Sequence, residues 1–141
     1  MSLRYLLDTG MLPGLVLGST EGDVKSQFGN PSDVALRKGR PHILRYGGLQ
    51  VFLGRGALKG FAIYFNEDAL NLPLRLTLDV PVRPRMPKAE ALACLAAAGV
   101  SCVPLPQLTF DEQAAYETPA HLHVMFNSGA LESIQRHEAA G

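Results

Sequence analysis

Cysteine is scarce in this chain: Cys94 and Cys102 are the only two among 141 residues. That excludes a small secreted fold stapled by several bridges and fits a reducing compartment. An excess of charge is missing too, because 13 basic and 13 acidic side chains cancel. A nucleic-acid footprint normally needs a basic stripe, so that class of partner is not expected. The densest basic cluster, Arg37, Lys38 and Arg40, reads as a solvated loop. No apolar run reaches the length of a membrane span, and Asp8 cuts the first apolar run too early for a signal peptide. A lipid-bearing cysteine near the start is also lacking. The expectation is a soluble cytoplasmic protein without a membrane partner.

Catalytic signatures are equally thin. None of Ser19, Ser26, Ser32, Ser101, Ser128 and Ser133 lies in a G-x-S-x-G elbow. Cys94 sits in an Ala/Leu helical pattern, which would raise a thiol pKa rather than activate it. Glu67-Asp68 and Asp111-Glu112 are neighbours in loops and diverge in direction. Gly54-x-Gly56 lies in a hairpin turn, so the dinucleotide fingerprint fails on context. The reading leans against an enzyme and calls for no cofactor.

What is present is a repetition. Leu49-Gln50-Val51-Phe52-Leu53-Gly54-Arg55-Gly56-Ala57-Leu58 reads again as Leu122-His123-Val124-Met125-Phe126-Asn127-Ser128-Gly129-Ala130-Leu131, at a spacing of 73 (122 − 49). With 47% apolar residues the chain can build one core. The expected fold is α+β: an antiparallel sheet with two short helices packed on one face, arising from a tandem helix-plus-meander unit. One domain covers 1–141, with pseudo-repeat halves at about 12–80 and 87–137. The two helices differ in composition and do not share the spacing of the hairpins.

Along the chain, Leu12 to Gly18 suggests a turn leading into a short strand. Ser19 or Thr20 caps a first helix with Val24 and Phe28 on one face, stopped by Gly29-Asn30-Pro31. Val34 to Arg40 reads as a loop. Strands are expected over 42–46, 49–53 and 58–65, with Gly47-Gly48 and Gly54-Arg55-Gly56 as turns. A phase slip between Leu58 and Phe61 calls for a bulge near Gly60. Leu74 to Val80 alternates cleanly and predicts a strand. Pro87 suits the start of a second helix, Lys88 to Ala98, with Leu92 and Leu95 buried and Gly99 as its stop. Val100 to Val103 is extended, Phe110 to Thr118 is helical turn or edge strand, and Leu131 to Arg136 is the last strand.

Two groups of residues carry candidate function. Arg45, Tyr46, Gln50, Phe52, Arg55 and Tyr64 form an aromatic and arginine-bearing set of the kind enriched at binding hot spots. Alternatively their rings pack under a helix or loop. His121 and His123 have metal-ligand spacing on a strand, with His137 or Glu138 as a third donor. The competing reading puts both histidines on a solvent face while Leu122, Val124 and Phe126 fill the core.

Gly18-Ser19-Thr20-Glu21-Gly22-Asp23-Val24-Lys25-Ser26-Gln27-Phe28-Gly29-Asn30-Pro31, followed by Ile43-Leu44-Arg45-Tyr46, resembles an element of the outer-membrane assembly lipoprotein BamE (SmpA/OmlA). β-Lactamase inhibitor proteins of similar fold carry the same element. The resemblance covers about residues 15 to 65 and implies short helices on an antiparallel meander, in tandem for the inhibitor. The chain is also similar to uncharacterised bacterial cytoplasmic proteins, some of immunity type. The expected function is a small non-enzymatic protein-binding module, immunity-like, with a toxin as its partner. The alternative is a small-molecule or metal-dependent activity centred on His121 and His123. A third reading is a homodimer formed through exposed strand edges.

Overall fold

A computed structural model describes residues 2–66, 72 and 79–138. Among them, three helices and eight strands follow the order α1 (Leu3–Thr9), α2 (Glu21–Phe28), β1 (Asp33–Arg37), β2 (Arg40–Tyr46), β3 (Leu49–Gly54), β4 (Ala57–Tyr64), α3 (Lys88–Ala97), β5 (Val103–Pro104), β6 (Gln113–Glu117), β7 (His123–Asn127) and β8 (Ala130–His137). The strands form one open antiparallel sheet in the order β1-β2-β3-β4-β8-β7-β6-β5. Each half is therefore a four-stranded meander, and the last strand of one half pairs with the last strand of the other.

The repeated decapeptide folds the same way twice. Arg55-Gly56 (φ 53 and 77) and Ser128-Gly129 (φ 51 and 78) turn the chain with positive φ at both central residues, as a tight two-residue hairpin requires. Phe52 faces Gly60 but Leu53 faces Leu58, so Lys59 is extra; Met125 faces Ser133 but Phe126 faces Leu131, so Glu132 is extra. The bulge expected near Gly60 thus occurs at Lys59 and recurs one repeat later. Helix entry is shared as well. Leu58 N donates to Ser19 O (2.7 Å) and Leu131 N to Met86 O (2.8 Å), while Thr20 bridges Ala57 and Pro87 bridges Ala130. The two helices enter at matching places but at another spacing, 67 (87 − 20).

Local chemistry explains each helix. Thr20 Oγ1 accepts from Asp23 N (3.1 Å) and the Asp23 carboxylate accepts from Thr20 N (2.9 Å), a reciprocal cap on α2. Thr20, not Ser19, is the cap; Val24 is fully buried beneath the helix. Pro87 stands just outside α3 as its N-cap residue rather than at the first helical position. The buried stripe of α3 is Ala91 and Leu95, with Leu92 only half-buried.

Three expectations are corrected. A helix that the sequence did not suggest, α1, buries Leu3, Leu6 and Leu7, and Ser2 Oγ caps it by accepting from Tyr5 N (3.2 Å). Three helices, not two, therefore pack on the sheet. Leu12 to Gly18 makes two turns and no strand, and Val16 is 67% exposed. Val34 to Arg37 is the greater part of edge strand β1 rather than a loop. The ambiguous Phe110 to Thr118 contains β6, one strand in from the β5 edge. Of the strand expected over Leu74 to Val80, residues 74–78 lie outside the described residues, while Asp79 and Val80 form a bend.

The helices share one core. Leu3, Leu6, Leu7, Val24, Ala91 and Leu95 join Leu44, Leu49, Val51, Leu53, Leu58, Phe61, Ile63, Leu122, Val124, Phe126, Leu131 and Ile134 in a single apolar cluster. These strand residues alternate and so occupy one face of the sheet. Among the described residues, no helix is long and apolar enough to cross a membrane.

Candidate functional site

The face away from that core is built by the intervening residues. Because register is continuous across the sheet, one row crosses all eight strands: Asp33, Arg45, Gln50, Ala62, Gln135, His123, Glu117 and Val103. A second row runs Ile43, Phe52, Gly60 and His137, and a third Ala115, Met125, Ser133 and Tyr64. Along the β4–β8 seam, Gly60 faces His137, Ala62 faces Gln135 and Tyr64 faces Ser133. With the hairpin spacing of 73, Gly60 corresponds to Ser133 and Tyr64 to His137. The two halves are thus related by a pseudo-two-fold axis at the Ala62–Gln135 pair.

Small residues on the two central strands shape this face. Gly60 has no side chain, so Phe52 on β3 and His137 on β8 meet across it, stacked at 5.5 Å with planes 9° apart. His123 lies 6.4 Å from His137, ring centre to ring centre. His137 Nε2 donates to Gln135 Oε1 (2.7 Å), and Gln135 Nε2 donates to the fully buried Ser133 Oγ (2.8 Å). Gln135 therefore links the second row to the third across the axis. Desolvation first, and the neighbouring His123 second, hold the His137 imidazole below its ordinary pKa. Desolvation and then Glu132 push the Tyr64 phenol up, against a lowering by Arg45.

Charges on this face come in pairs. The Arg45 guanidinium meets the Asp33 carboxylate at 2.8 Å, and His123 Nε2 meets Glu117 Oε2 at 3.1 Å. A carboxylate-held imidazole is the base half of a nucleophilic triad. No hydroxyl or thiol among the described residues is hydrogen-bonded to His123, so that triad has no nucleophile. Burial pushes the Cys102 thiol up, away from reactivity.

The six residues singled out from sequence divide three ways. Arg45, Gln50, Phe52 and Tyr64 stand on the helix-free face. Tyr46 points the other way: it is 5% exposed, its hydroxyl donates to Gly29 O (2.9 Å) and its ring lies 5.7 Å from Phe28. It is a core residue and leaves the candidate site, because its strand phase matches Leu44. Arg55 occupies the β3–β4 turn at the end of the sheet.

Of the histidine pair, His123 is on β7 while His121 lies in the preceding turn at φ 66. Among the described residues, no three of His, Cys, Asp and Glu stand close enough to hold a metal ion. The site residues missed from sequence are Glu117, Met125, Ser133 and Gln135, while His137 enters from sequence only as a third metal donor. The repeat was their signal: moving Gln50, Phe52 and Tyr64 by the hairpin spacing lands on His123, Met125 and His137. Comparison with protein-family models, curated proteins and solved structures finds no match to this chain.

Proposed function

We propose that this chain is a small non-enzymatic protein-binding module whose helix-free sheet face receives a partner protein, in its most concrete form a toxin that it neutralises. The observation that carries the reading is the composition of that face. Phe52, Tyr64, Met125 and Arg45 stand around a floor of Gly60, Ala62, Ala115 and Ser133, and the three rows contain no lysine. Aromatic, Met and Arg side chains with lysine depleted are the signature of an interface core rather than of a wetted sheet. The paired charges favour the same reading. Asp33 already pairs the Arg45 guanidinium and Glu117 is already hydrogen-bonded to His123 Nε2 before a partner arrives, which lowers the desolvation cost of covering them. The resemblance to the tandem inhibitor unit points the same way and rests on the quoted residues alone.

The test uses the product of the neighbouring gene. Where that gene encodes a toxin, co-expression with this chain restores growth, and Phe52→Asp or Tyr64→Asp abolishes the rescue without lowering the melting temperature of the purified protein. Absence of rescue by the unaltered chain, or full rescue by both face variants, overturns the proposal.

A further inference from the structure

A second feature lies at the sheet end where the β1–β2 and β3–β4 turns sit side by side. The space between them, about 540 Å³, is lined by Arg37, Lys38, Arg40, His42 and Arg55 together with Pro41, Leu53 and Gly54. From sequence, Arg37, Lys38 and Arg40 read as a solvated loop. The fold instead adds Arg55 from a separate hairpin and the His42 imidazole, and no acidic residue lines the space. Among the described residues, none of the four cations is in an ion pair.

Three independent observations set these cations apart from ordinary surface charge. Arg37 and Arg40 face each other directly across the β1–β2 ladder, a like-charge pairing that works against the hairpin unless an anion lies between them. Lys38 (φ 52) and Arg55 (φ 53) occupy left-handed turn positions that suit Asn, Asp or Gly. The second half supplies an internal control. Its equivalent turn holds Ser128 at φ 51, with Ser128 N donating to Glu112 O (2.8 Å), so the same turn forms without a basic residue.

We propose that this pocket binds a compact multivalent anion of the diphosphate class, at a site separate from the sheet face. Guanidinium groups supplied by two turns can match phosphoryl oxygens in bidentate fashion, and a volume of about 540 Å³ suits a small ligand rather than an extended acidic segment. His42 contributes one nitrogen. Its Nδ1 donates to Leu53 O (3.1 Å), since a carbonyl can only accept, and in that tautomer Nε2 carries a lone pair that can accept from a P–OH of a partly protonated diphosphate.

Calorimetric titration of the intact protein with pyrophosphate, at constant ionic strength, tests the site. The expected result is one saturable site and a melting temperature that rises with pyrophosphate concentration. ADP run in parallel separates a diphosphate ester from the free ion as the source, and the tighter of the two names it. Arg55→Ser, which installs the residue already present at the equivalent turn, weakens binding about tenfold or more, and Arg40→Gln does likewise. Lys88→Gln, on α3, leaves binding unchanged. The proposal is overturned if the unaltered protein gives no saturable binding, if both arginine variants bind as well as it does, or if a hexaglutamate peptide binds more tightly than either phosphate.

Discussion

Replacing Gly60 by alanine tests how tightly the two halves are joined at their seam. A Cβ at this position would lie 2.2 Å from Arg136 O and 3.1 Å from His137 Cα, both backbone atoms of β8 that cannot rotate away. An ordinary carbon–oxygen contact is about 3.3–3.6 Å, so the strands would have to part by roughly 1 Å. Overpacking of this kind costs about 1–3 kcal/mol, and each ladder hydrogen bond stretched at the seam adds up to about 1 kcal/mol. We expect Gly60→Ala to lose about 3 kcal/mol, which for a chain of this size lowers the melting temperature by roughly 10 °C.

Gly56→Ala is the matched control. Nothing lies within 4 Å of its added Cβ, but φ is +77. The left-handed backbone costs alanine about 1–2 kcal/mol, and the smaller entropy of the unfolded chain returns about 0.4–1 kcal/mol. The net loss is about 1 kcal/mol. Urea unfolding followed by circular dichroism gives both values, with an unchanged m-value showing that the same surface is exposed. The reasoning is refuted if Gly60→Ala proves no more destabilising than Gly56→Ala.

Two further outcomes follow from the geometry. His137 is held below its ordinary pKa in the folded state, so at mildly acidic pH the unfolded chain binds more protons. Its contribution to stability is complete above about pH 6.5 and falls as pH drops through the folded value. His137→Phe should therefore show a shallower loss of melting temperature between about pH 7 and 5 than the unaltered protein, and parallel curves would contradict this. Thr20→Ala removes one side of the α2 capping box and should cost about 1 kcal/mol in chemical denaturation, whereas Ser19→Ala leaves that box intact. Equal losses for the two would show that the box is not what holds the start of α2.

The parts of the fold that were legible in sequence are those specified locally. Glycine-bearing turns, strict alternation and the Thr20–Asp23 cap each act within a few residues, and the repeated decapeptide brought its register and bulge with it. What escaped notice depends on distant partners. The seven residues of α1 are too few to hold a helix alone, so it exists because Leu3, Leu6 and Leu7 find the core and because the Arg4 guanidinium reaches Ala98 O at the end of α3. Edge strand β1 has no fully buried residue: Ala35 is half-buried and Leu36 is 64% exposed, so its five residues present no core face to read. The misread segment after it has the opposite cause. Leu12 to Gly18 is apolar enough for a strand, but Leu15 N and Ser19 N find local acceptors in Leu12 O and Val16 O. The site is half legible, because one copy of the hairpin carries aromatic and arginine residues of hot-spot type while the other carries a His-x-His spacing that resembles a metal site.

The pattern of difference between the copies separates packing from recognition. On the helix-covered face the equivalent pairs are Leu49 and Leu122, Val51 and Val124, Leu53 and Phe126, and Phe61 and Ile134, all apolar, since each must fill the same core. Ile63 and Arg136 break that rule for a visible reason: Arg136 Nη1 donates to Ala120 O (2.8 Å) and to Gly10 O (3.3 Å), satisfying carbonyls beside α1, which only one half carries. On the helix-free face Phe52 and Met125 are both apolar, but three equivalent pairs differ in chemistry: Arg45 against Glu117, Gln50 against His123, Tyr64 against His137. Arg45 and Glu117 lie in the same row, each on the third strand from the seam, Arg45 beside Asp33 and Glu117 beside His123. The partner proposed above would therefore meet different side chains on the two halves, so the two-fold backbone would offer it a single favourable pose rather than two.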